Sequence, residues 1–288
     1  MKLILVILIT VVGLWAKPIF TNTDQLDTSD YIASLKDLLV ATQKTRGMTY
    51  TYIKGDPSVV FKVMDFHKEM KDALLKLEVS ELGGDKALKN RELRLSETLI
   101  RLNRKAMKMD ADEMFSEYTI AIENILVLAN LAQIQSAKNL NAIGKLSVEN
   151  LLKTALPLTE KIGQLRAYGS GAIVEINENG AIHPLEVHKI TILLKEIEAH
   201  LRQFEIGATA VSAHYNADMD SELKIALSKN RHDIDDLEEF SESVFVENKE
   251  TTLSAVQYFA MATKTIDNLL AIFELQNRAI KKSSEGWF

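Results

Sequence analysis

QKTRGMTY, residues 43–50, is the stretch on which the fold turns. It sits in a run whose apolar and small residues fall at Ile32, Leu35, Leu39, Thr42, Arg46, Thr49 and Ile53, in the steps of three and four that mark one face of a helix. Arg46 therefore takes an inward position. The stripe recurs at Leu152, Ala155, Thr159, Ile162, Arg166, Gly169, Ile173 and Ile176, again with one arginine on the inner line, 120 residues (166 − 46) after the first. Each arginine is followed by a proline-containing turn and a charged amphipathic segment: FKVMDFHKEMKDALLKLE at 61–78 and EVHKITILLKEIEAHLRQFE at 186–205. IENIL at 122–126 and IDNLL at 266–270 also correspond. A duplicated four-helix unit accounts for all three matches. The predicted fold is all-α, two four-helix bundles from an internal repeat of about 120 residues.

Composition agrees with this. The 288 residues are 47% hydrophobic with 12 Gly and 4 Pro, which favours helices and a substantial core. A net charge of −6 with both signs mixed along the chain offers no basic stripe for a nucleic-acid backbone, so none is expected as partner. The absence of Cys removes disulfides and thiolate metal sites. No cofactor or metal site is predicted; Glu196 and His200 are the nearest approach to a ligand pair, and MKMDADEM at 107–114 reads as a helix junction with gap-filling methionines.

At the N-terminus, MKLILVILITVVGLWAKP joins one lysine, an apolar run from Leu3 to Trp15 and a small residue, Ala16. The run is short for a spanning helix, which needs about 20 residues, and the layout is that of a secretory signal. Residues 1–16 are read as a cleaved signal peptide, with an uncleaved anchor as the alternative because Leu14 is large for a cleavage site, and 17–288 as the mature, periplasmic domain. Turn signals at Asp56-Pro57, Gly83-Gly84, Met109-Asp110, 177–184 and Asn216–Asp220 divide it into about eight helices. Ser147 is the expected cap of the fifth, and Glu247–Thr251 leads into the last, which ends near Lys282. The first bundle then covers about 24–146 and the second about 147–282, with 283–288 a tail whose Trp287 and Phe288 have the chemistry to dock.

A buried arginine is costly unless its charge is met, usually by a carboxylate one turn away. Arg46 has Thr42, Gln43, Thr49 and Tyr50 at those offsets, and Arg166 has Ile162, Gly163, Gly169 and Ser170. Neither has a local counter-charge, and a guanidinium presents paired donors suited to an oxyanion. An anion between two such arginines would relieve their repulsion. The opposing reading pairs each arginine with a distant acid, such as Glu160 or Asp65, and requires carboxylates within hydrogen-bonding distance of both.

QKTRGMTYTYIKGD at 43–56 resembles the Q-K-E-R-G-x-S/T signature of the nitrate- and nitrite-sensing domain family of bacterial receptors and regulators. YTIAIENIL at 118–126, EKIGQLRAYGSGAI at 160–173 and YFAMATKTIDNLL at 258–270 extend the resemblance over roughly residues 30–280. It implies an all-helical domain of two four-helix bundles that binds nitrate or nitrite between them. Arg46 and Arg166 match the family's two arginines, and Gln43, Gly47 and Thr49 match the neighbours of the first. Tyr50, Gly169 and Ser170, one turn from the arginines, complete the expected ligand shell. Thr45 departs from the pattern, which usually has glutamate there.

Family members usually precede a kinase, chemoreceptor, cyclase or RNA-binding output domain, and this sequence has none of these. The resemblance thus implies a freestanding exported sensor that reports to a membrane sensor kinase or chemoreceptor, with an oligomer compatible. The alternatives are a module for another small anion, such as a carboxylate, and a structural or interaction bundle. No phosphate loop, nucleophile elbow or paired catalytic carboxylates point to an enzyme.

Overall fold

Capping chemistry sets most of the helix ends. The computed structural model describes residues 22–80, 82 and 85–282, and among them there are eight helices and no strand. In the first half these are α1 (Asn22–Ile53), α2 (Val60–Val79), α3 (Lys86–Lys105) and α4 (Ala111–Ser136). In the second half α5 is one continuous helix, Ala142–Asn150, a π turn at Leu151–Ala155 and Leu156–Asn179. It is followed by α6 (Pro184–Ser212), α7 (Ala217–Ser241, extended by a π turn at Glu242–Val246) and α8 (Ala255–Lys282). The signal segment, the Gly83-Gly84 turn and the tail from Ser283 lie outside the described residues.

Asp85, Asp110 and Asn216 accept backbone N–H bonds at the starts of α3, α4 and α7, filling donors that a helix N-terminus leaves open. Gly180 closes α5 in the left-handed conformation at φ 74°. The expected cap at Ser147 is corrected. Asn141 caps α5 by accepting from the Gly144 N–H, and Ser147 is buried inside the helix. The π turn has a direct cause: Pro157, just beyond it, lacks an N–H and crowds the preceding turn, so the chain widens there instead of breaking.

α1 packs on α2 and α4, with α3 closing the ring, and α5 packs on α6 and α8, with α7 closing the second ring. The two bundles meet where α1 lies against α5 and α8. As a result α1 is buried at every residue from Ala41 to Thr51 except Lys44, and α5 at every residue from Leu165 to Val174. Helices covered on all sides need small residues where neighbours press close. A Cβ on Gly169 would lie 2.2 Å from the Tyr258 ring of α8, and one on Gly47 would lie 2.8 Å from the Phe259 ring. They also need hydroxyls that satisfy themselves. Thr42, Thr45, Thr51, Thr159 and Ser170 each donate to the carbonyl one turn back on their own helix.

Candidate anion-binding site

Arg46 and Arg166 are both completely buried at the contact of α1 with α5. Their surroundings repeat. Arg46 lies with Cζ 4.7 Å from the centre of the Phe115 ring, and its Nη1 donates to the Thr119 hydroxyl of α4 at 2.9 Å. Arg166 lies 4.5 Å from the centre of the Phe259 ring, and its Nη1 donates to the Thr263 hydroxyl of α8 at 2.9 Å. Each aromatic ring contributes a cation–π face and each threonine an acceptor one turn on. The arginine-to-threonine separation is 73 residues in the first half and 97 in the second. Much of that difference lies in α6 and α7, of 29 and 25 residues, against 20 each for α2 and α3.

Beyond this shared frame the two arginines part. Arg46 donates from Nη1 to Glu160 Oε1 at 2.6 Å and from Nη2 to Oε2 at 3.2 Å, a fork-to-fork ion pair across the bundles. Glu160 is 4% exposed and also accepts from Gln43 Nε2 at 2.8 Å and Gln164 Nε2 at 2.7 Å. Four donors thus hold one carboxylate. Among the described residues, Arg166 has no carboxylate within bonding distance, and its Nε and Nη2 have no partner. Loss of water and, after it, the field of Arg46 together pull its pKa down to about 9, with Asp267 and Glu160 offsetting them only in part. The reading that pairs both arginines with carboxylates is met at Arg46 by Glu160 and fails at Arg166.

The remaining expected ligands divide in the same way. Gln43 is committed through Nε2 to Glu160, while its Oε1 is unpartnered. Thr49, one turn beyond Arg46, is fully buried with an unpartnered hydroxyl. Gly47 presses against the ring that stacks on Arg166, and Gly169 against the neighbouring Tyr258. Tyr50 turns away, donating to Glu186 of α6 at 2.8 Å, and Ser170 donates to the Arg166 carbonyl. Thr45 faces α2, with its hydroxyl on the carbonyls of Ala41 and Phe66. The acid beside Arg46 comes from α5 instead.

A second polar cluster sits at the end of α1. Lys54 pairs with Glu175 of α5 and, at 2.6 Å, with Glu186 of α6. Burial alone would lower Lys54, but its bonds to the two carboxylates outweigh that and raise it. A cleft of about 470 Å³ lined by Phe115, Thr119, Gln164, Tyr168 and Lys189 opens from the surface to the groups that hold the Arg46–Glu160 pair.

Sequence reading did not single out Phe115, Thr119, Phe259, Thr263 or Gln164. A signal for four of them exists: FSEYTIAIENIL at 115–126 and FAMATKTIDNLL at 259–270 both carry phenylalanine first and threonine fifth.

No protein-family model matches the chain, and no curated protein does. Among solved structures it is similar to the NasR transcription antiterminator, with a TM-score of 0.71 over 96% of this chain and 75% of that one, at 12% identity. A likeness at that identity shows the all-helical fold. Among the described residues, no helix is long and apolar enough to cross a membrane.

Proposed function

We propose that the chain is a nitrate- or nitrite-binding sensor, with the anion seated on the open edge of Arg166 beside the Arg46–Glu160 pair. The observation that carries the reading is a guanidinium wholly removed from water with one hydrogen bond and two unpartnered donors. Nε–H and Nη2–H form the side-on fork of a guanidinium, which suits two oxygens of a planar oxyanion. Burial of such a cation without a counter-charge costs several kcal/mol, and a bound anion removes much of that cost. The motif resemblance supplies the identity of the anion, and the fold likeness to a transcription antiterminator supports a regulatory role.

The role proposed is binding without turnover. The leader-like residues 1–16 support an exported protein, so the proposed location is the periplasm and the proposed partner a membrane sensor kinase or chemoreceptor. The side-on fork of a guanidinium fits any planar pair of oxygens, which supports a second reading in which the site takes another small anion, such as a carboxylate. Calorimetric titration of nitrate, nitrite and acetate into the protein, with chloride as control, separates these. Saturable nitrate or nitrite binding that disappears in Arg166→Met supports the sensor; tighter acetate binding supports the second reading; no binding of any anion removes both.

A further inference from the structure

We infer that Glu160 sets the charge of the ligand: by neutralising Arg46 it leaves Arg166 as the single uncompensated cation at the α1–α5 contact, so the site takes a monovalent oxyanion and rejects divalent ones. The inference rests on the anion-binding reading above.

The carboxylate is a fixed part of the site. Its oxygens accept from Arg46 Nη1 and Nη2, Gln43 and Gln164, all from buried or half-buried groups. An incoming anion that displaced it would leave a charge stranded out of water and two amides without acceptors, a cost of several kcal/mol. Glu160 therefore stays, and the charges at the two guanidinium groups (Arg46, Glu160 and Arg166) sum to a single positive charge, the Lys54, Glu175 and Glu186 cluster lying two turns further along α1. A ligand with one negative charge brings the sum to zero, whereas one with two leaves a net negative charge in a medium of low dielectric, facing Glu160.

The repeat shows that the acid is particular to one half. Glu160 stands six residues before Arg166, and the residue six before Arg46 is Val40. The otherwise matched frames of phenylalanine and threonine thus hold one arginine that is paired and one that is not. An arginine pair without Glu160 would carry two positive charges and suit sulfate at least as well as nitrate.

The test is calorimetric titration of the parent and Glu160→Gln with nitrate, perchlorate and sulfate. Perchlorate and sulfate share a tetrahedral shape and differ by one charge, so their comparison isolates charge from fit. The parent is expected to bind each monovalent anion at least about tenfold more tightly than sulfate, and Glu160→Gln to raise sulfate affinity relative to perchlorate by about tenfold or more. An unchanged ratio in a folded Glu160→Gln overturns the inference and leaves the nitrate reading intact. If that variant does not fold, the parent decides, because sulfate bound as tightly as perchlorate overturns the inference alone. Absence of saturable binding by every anion overturns the nitrate reading and the inference together.

Discussion

Two arginines with the same neighbours answer differently to the same substitution. Removing Arg46 leaves Glu160 buried with only Gln43 and Gln164 as donors, and stranding one member of a buried pair costs about 3–5 kcal/mol. Removing Arg166 strands no carboxylate and ends the burial of a charge whose pKa has been driven down to about 9. Arg46→Met is therefore expected to lower the unfolding free energy by about 3–5 kcal/mol, and Arg166→Met to leave it unchanged or raise it by about 1–3 kcal/mol. Urea denaturation at neutral pH without nitrate measures both. Equal destabilisation by the two substitutions would show that Arg166 has a counter-charge after all.

At the level of the helix, close approach is the feature with consequences. Gly169 lets α5 lie against the buried Tyr258 ring, which is held in turn by a 2.9 Å bond between its hydroxyl and Ser241. Alanine is the better helix former by about 1 kcal/mol, but a methyl group 2.2 Å from a fixed ring forces the helices apart, and overpacking costs about 1–3 kcal/mol. Gly169→Ala is expected to lose up to about 2 kcal/mol by thermal denaturation; a rise in melting temperature would show that Tyr258 moves freely.

Much of this level was legible in the sequence. The break at Asp56-Pro57 was clear because the aspartate caps the next turn by accepting from the Ser58 N–H, and Asn216 acts in the same local way. Ser147 misled because serine is a good cap wherever it occurs, while the actual cap, Asn141, stands where no apolar stripe had yet begun. The inner placement of Arg46 and Arg166 followed from periodicity alone. Their difference did not, since the acid that pairs with Arg46 lies 114 residues away and no local pattern reaches so far.

For the molecule as a whole, the α1–α5 contact is the middle of the joint between two bundles, beside the seam of α1 with α8, and charged side chains fasten it at two places. One fastening is the Arg46–Glu160 pair, and the other is Lys54, which ties the end of α1 to Glu175 and Glu186. An anion on Arg166 adds weight at the same joint, and it shifts the arrangement of the bundles only as far as its affinity for two arrangements differs. Saturating nitrate is expected to slow amide exchange in α1 and α5 more than in α3 or α7, and to change small-angle scattering if the bundles move. Slower exchange with unchanged scattering would leave capture of the anion in place and remove the relay.

The tandem arrangement has a consequence of parity. Two identical subunits related by a twofold axis place every side chain at their shared centre in duplicate, so with both copies in the same protonation state the charge there is even. Joining the halves in one chain lifts that restriction, because position 160 can hold a glutamate while its counterpart at 40 holds a valine. A fixed odd charge then needs no shared proton, and it is the charge that a singly charged ion brings to zero.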